Sequence, residues 1–230
     1  MKSRLKFIDI PTEQTTAITD LILATIASVF ALYLFLADYR PDLKAALWIS
    51  IFGLVGLAAL LGAIVHGFEM SENARLRLWQ PLHLLLALTV ALIPIAVIYD
   101  LWGENYALSV LPVTLGLGMI FFGFVLIYPH NFLAFFIYQT IAMFFALIGY
   151  SWLALLGRLD GAWFMVAGIA ITMVAAAVQT RKSICFKLIW AFDHNGLYHF
   201  IQMAALLFLL LGLHISLSPQ SGSGTGFSVD

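Results

Sequence analysis

Residues 45–67 read AALWISIFGLVGLAALLGAIVHG, twenty-three consecutive positions with no Asp, Glu, Lys or Arg and a single histidine, His66, near the end. A helix rises about 1.5 Å per residue, so the stretch is roughly 34 Å long, enough for the ~30 Å hydrocarbon core of a bilayer. Gly53, Gly56 and Gly62 inside it let a neighbouring helix approach closely. The same criterion carried outward divides the chain into seven spans, at 16–37, 45–67, 79–99, 107–128, 131–155, 162–180 and 195–217. Composition agrees, because a soluble domain with 63 % hydrophobic and 10 % charged residues would leave much of its surface apolar. The expected fold is all-α and polytopic. One seven-helix transmembrane domain occupies residues 1–217, and residues 218–230, from Ser218-Pro219-Gln220-Ser221-Gly222 onward, read as a disordered tail.

The connections are short and hold most of the charge: Asp38 to Lys44, Glu69 to Arg77 as the longest, Asp100 to Glu104, Pro129, Gly157 to Asp160, and Arg181 to Lys187. They leave no room for a soluble domain. The first segment carries Lys2, Arg4, Lys6, Asp9 and Glu13 and lacks the form of a cleaved signal, so it is expected to be retained. Eight basic residues (Lys2, Arg4, Lys6, Arg75, Arg77, Arg181, Lys182, Lys187) fall on one face and three (Arg40, Lys44, Arg158) on the other. The positive-inside rule then puts the N-terminus in the cytoplasm and, after seven crossings, the C-terminus outside. A net charge of −1 and a lone Cys185 discriminate neither partners nor redox compartment. No internal repeat is evident, which weighs against a transporter of two duplicated halves.

That orientation gathers polar residues. His66 ends the second span, His83 begins the third, His130 begins the fifth, and His194 and His199 open the seventh, all at the cytoplasmic face; only His214 is opposite. Asp20, the one carboxylate read as lying inside an apolar run, is expected about one turn into the first helix on the same side. An ionisable group there costs a few kcal/mol unless it faces the bundle and finds a partner, although a first-turn Asp favoured by the helix dipole and capped by Thr16 or Thr19 is the plainer account. In the seventh span, Asn195, His199 and Gln202 share a face, whereas His194 lies about 140° from His199 and reaches the same point only from the preceding turn. Trp190, Phe192, Tyr198 and the histidines can equally form part of an interfacial aromatic belt. Histidines converging from several helices point to a shared ion, with His66 and His199 the strongest candidates, His194 next, and His83 in reserve.

Seven spans, a histidine ending the second and the Asp193-His194-Asn195-Gly196-Leu197-Tyr198-His199 opening of the seventh resemble the superfamily of alkaline ceramidases and adiponectin/progestin-type receptors. The likeness covers the whole topology on few motif residues. It implies an uncharacterised bacterial relative in the cytoplasmic membrane, and a hydrolase that holds zinc with one second-helix and two seventh-helix histidines. His66 would match the former and His199 the last of the latter, with His194 completing the set. Three differences stand in the chain itself: the family spaces its seventh-helix histidines by four, its serine four residues before the second-helix histidine is Gly62 here, and its third-helix aspartate has no clear counterpart. Zinc with three protein ligands and an open position lowers the pKa of a bound water to about 7, giving a hydroxide able to attack a lipid amide or ester. In that scheme Asp20 takes the proton and Gln202 or Tyr198 polarises the substrate oxygen.

Other classes compete. A non-catalytic sensor or scaffold would use the cluster for a structural ion, and a haem protein would pair His66 with His83 or His199. A retinal protein needs a lysine deep in the last span, where none occurs. Ion translocation needs polar groups through the membrane depth, and the centre holds only Thr89, Thr114, Gln139 and Thr172. The expected partners are membrane lipids, one of them a substrate, and not nucleic acid.

Overall fold

A computed structural model of the protein describes residues 6–37, 39, 42–129 and 132–218. Seven helices account for most of them: α1 Pro11–Leu36, α2 Leu43–Gly67, α3 Glu72–Trp102, α4 Glu104–Ile127, α5 Phe132–Leu155, α6 Ala162–Gln179 and α7 His194–Leu217. Each is long and apolar enough to cross a membrane. His130 and residues 219–230 of the expected tail lie outside the described residues.

Two boundaries differ from the sequence reading, and both matter for the site. Pro11 supplies the fixed φ that starts α1, so Asp20 sits nine residues in, about 13 Å along the helix rather than one turn. A capping role for Asp20 is thereby removed. The polar stretch before the third span is helical from Glu72, because the Ser71 side chain accepts from the Ala74 amide and caps it. The charged residues Arg75 and Arg77 thus extend α3 rather than a loop. Between α6 and α7 the chain forms an antiparallel hairpin, β1 Cys185–Lys187 and β2 Ala191–Asp193, pairing Cys185 with Asp193 and Lys187 with Ala191.

Packing arranges six of the helices in a closed ring. α1 lies against α2, α2 against α3, α3 against α5, α5 against α6, α6 against α7, and α7 against α1. α4 stands outside the ring and packs chiefly on α3. The α6–α7 crossing is tight: Gly161, at φ 78°, lies on the backbone of Gly212, where a side chain on either residue would collide. At the opening of the chain, Ile8 donates to the Gly67 carbonyl at 3.0 Å and Glu69 to that of Lys6 at 2.9 Å. Phe7 stacks on Phe68, and the Lys6 ammonium meets the Glu69 carboxylate at 2.8 Å, which raises the Lys6 pKa above its ordinary value. This strap ties the start of α1 to the end of α2.

At the opposite end lies a second polar cluster that the sequence reading assigned to loops. Lys44 and Asp100 form an ion pair at 2.7 Å with both side chains almost wholly buried. The Tyr150 hydroxyl donates to Asp100 at 3.2 Å and that of Tyr99 to Asp42 at 2.8 Å. Asp20 is therefore not the one carboxylate within the apolar body of the protein. Removing one member of a buried pair strands the other charge, so Lys44→Ala should lower stability by about 3–5 kcal/mol, while Lys44→Met with Asp100→Leu should recover most of it. Unfolding in detergent micelles checks both; a double variant no more stable than Lys44→Ala would refute the cost assigned to the stranded Asp100 charge.

Candidate functional site

The site begins with one contact. Oδ1 of Asp20, 3 % exposed, lies 3.1 Å from Nε2 of His199 on α7. The other ring nitrogen, Nδ1, is 3.2 Å from the Thr19 hydroxyl, which itself donates to the Thr16 carbonyl at 2.9 Å. With its hydrogen committed, that hydroxyl can only accept, so Nδ1 carries a proton. The Asp20–His199 contact then needs one further proton between its two atoms, held as a carboxylic acid facing imidazole or a carboxylate facing imidazolium. Gly62 on α2 makes the room: a Cβ there would stand 2.7 Å from Asp20 Oδ2. The carboxylate thus occupies space that any side chain at position 62 would fill.

A second carboxylate–histidine pair stands beside the first. His66 Nδ1 lies 2.6 Å from Glu13 Oε2. The Trp79 ring meets His66 edge-on and tilts against His83, whose Nδ1 donates to the Trp79 carbonyl at 2.7 Å. α7 is brought to the same end by its cap, since Asp193 Oδ1 accepts from the amides of Asn195 and Gly196 and from the Thr16 hydroxyl of α1 at 3.1 Å. One aspartate therefore both starts α7 and joins it to α1. His194 is the first residue of that helix rather than part of the turn before it.

Asp20, Gly62, His66, Trp79, His83 and His199 line one cavity of about 360 Å³ inside the helix ring. Asp20, His66, His83, His194, Asn195, Tyr198 and His199 stand at its polar end, with Gln202 further along. Its walls continue through Leu206 to Leu209, about 22 Å from His194 along α7, and are apolar there, with Ile51, Val55, Ile93, Met143 and Ile169. No residue of α4 takes part. Thr89, Gln139 and Thr172 also face it, so three of the four mid-membrane polar residues singled out in the sequence serve the cavity. Gln202 donates to Thr172 at 3.2 Å. Among the described residues, four buried side-chain polar atoms lack a hydrogen-bond partner: Asp20 Oδ2, Trp48 Nε1, His194 Nδ1 and Gln202 Oε1. All four belong to residues of this cavity.

Asp20, His66, His194 and His199 thus all line this cavity, and His214 lies at the other end of the bundle against Tyr33 and Tyr39. Among the described residues no three His, Cys, Asp or Glu side chains are grouped so as to hold an ion, and both nitrogens of His199 are already engaged. Glu13 and Thr19 were not anticipated. Starting the first span at residue 16 left Glu13 in an exterior segment, and Thr19 had been read only as a possible cap.

A family model described as "Family of unknown function (DUF6962)" matches residues 15–217. The chain belongs to that family. No curated protein matches it, and no solved structure does. The matched range runs from the second turn of α1 to the last residue of α7, and so includes every residue that lines the cavity.

The close fit at Gly62 has a measurable consequence. Gly62→Ala should displace the Asp20 carboxylate from His199 and destabilise the protein by roughly 1–3 kcal/mol, the usual cost of overpacking. In an Asp20→Ala background the same change should be near neutral. A double-mutant cycle on thermal unfolding reads the coupling, and strictly additive effects would refute the contact.

Proposed function

We propose that this protein is an integral-membrane hydrolase of a lipid amide or ester, which takes its substrate as an amphiphile into the helix ring. The observation that carries the reading is the coincidence of all four unpartnered buried polar atoms with one elongated, largely apolar cavity. A purely apolar guest would leave those atoms unsatisfied at about 1–3 kcal/mol each, whereas an amide or hydroxyl-bearing chain supplies donors and acceptors along its length. Lipid can reach such a cavity laterally between helices.

The chemistry falls to Asp20 and His199. Oδ2 of Asp20, not bound to His199, accepts a proton from a water attacking the substrate carbonyl, and the pair returns it to the leaving amine or alkoxide as the carbon–nitrogen or carbon–oxygen bond breaks. Tyr198 or Gln202 is placed along the cavity to orient the substrate, and Glu13 holds the His66 ring. The resemblance to alkaline ceramidases implies zinc on His66, His194 and His199. The arrangement of these side chains does not fit a three-ligand site, so no step is derived through a metal.

The test is turnover on a panel of acyl-amide and ester lipids, measured beside zinc content in purified protein. Turnover in wild type, with Asp20→Asn and His199→Ala reduced at least 100-fold, is the expected result. Zinc at one per chain, lost in both His66→Ala and His199→Ala, would replace this mechanism with the metal one. A bound lipid without turnover would make the protein a sensor or scaffold.

Orientation follows from the eight-to-three distribution of Lys and Arg, which puts the N-terminus and the polar end of the cavity in the cytoplasm and the C-terminus outside, in a bacterial inner membrane by the family likeness. A C-terminal alkaline phosphatase fusion should be active and a C-terminal fluorescent protein dark; the opposite pattern would reverse the placement.

A further inference from the structure

The hairpin between α6 and α7 is held at its base and bare at its tip. Phe192 stacks on Phe186 and packs against Gly196, while Asp193 is bound to Thr16 and to the α7 amides. Beyond that base, Leu188, Ile189 and Trp190 are 75 %, 82 % and 64 % exposed. Three consecutive large apolar side chains so open to their surroundings are costly in water. The same segment carries Arg181, Lys182 and Lys187, all exposed, with no acidic residue from 180 to 192. Lys182 also lines the cavity, alongside Gln179.

We propose that this hairpin is an interfacial anchor whose tip enters the bilayer of the protein's own membrane and whose basic flank binds the anionic headgroups of that leaflet. Charge and shape commit it to this occupant. Tryptophan and aliphatic side chains settle at the headgroup–acyl boundary, and lysine and arginine remain among the headgroups above them. The hairpin follows the end of α6 at the same bundle end as the cavity's polar groups. An anionic headgroup gathered by Arg181, Lys182 and Lys187 therefore rests beside the cavity opening, and the anchor holds that opening at headgroup depth. The inference stands whether or not the cavity is catalytic.

The experiment uses the full chain in mixed phosphatidylcholine–phosphatidylglycerol vesicles. Subtracting the emission of Trp190→Phe from that of wild type isolates Trp190. The expected result is quenching of this component by lipids brominated near the top of the acyl chain and little quenching by aqueous acrylamide. In parallel, Arg181→Gln, Lys182→Gln and Lys187→Gln should reduce the enrichment of phosphatidylglycerol around the protein by roughly fivefold for each charge removed. These positions are exposed, and Trp190→Phe keeps an apolar ring, so the fold is preserved. Trp190 open to acrylamide and untouched by brominated lipid would overturn the proposal. Protection from both quenchers would assign the tip to a protein contact and overturn it equally, as would unchanged lipid enrichment in the charge variants.

Discussion

A carboxyl group about two and a half turns inside a membrane helix has to be answered by something other than water, and here His199 answers Asp20. The bond needs α1 and α7, which are distant in sequence, to be neighbours, and it needs α2 at that point to present no side chain. Gly62 meets the second condition and the Asp193 cap helps to meet the first. Burial of an ionisable pair contributes little net stability once desolvation is counted, but breaking it is expensive. Such a pair therefore selects one arrangement of helices over others more than it strengthens the bundle.

The polar groups of the described bundle are concentrated toward its two ends. At one, Lys44, Asp100 and Tyr150 close on each other with their hydrogen bonds made. At the other, Asp20, His194 and Gln202 keep atoms unpartnered and line a cavity. The first pattern is what a structural cluster requires. The second leaves chemical capacity unused by the fold, and the ring of six helices encloses it while α4 stays outside.

Gly62 leaves room on α2, and the Asp20 carboxylate of α1 fills it. His66, near the end of α2, is likewise met by a carboxylate from α1, that of Glu13 at 2.6 Å. Both contacts tie the same two helices together at one end of the bundle.

The seven helices were legible in the sequence because a span needs only length and uninterrupted apolar character, and both are local properties. The histidines' shared end was legible for a similar reason: alternation of direction places every second helix end on the same side. What could not be read was pairing. Glu13 looked exterior because hydropathy cannot detect a helix that Pro11 starts and a strap holds against α2, and Lys44 and Asp100 looked like loop charges because each is flanked by turn residues although together they neutralise one another. Hydropathy also reads only span or gap, so the hairpin after α6 was invisible to it. By itself the sequence determined the number of helices, the depth of each polar residue to within a turn or two, and the end at which they meet. Only the tertiary structure decided which faced which, because hydrogen bonds between helices depend on rotation about each axis and on the order of helices around the ring, neither of which any single span encodes.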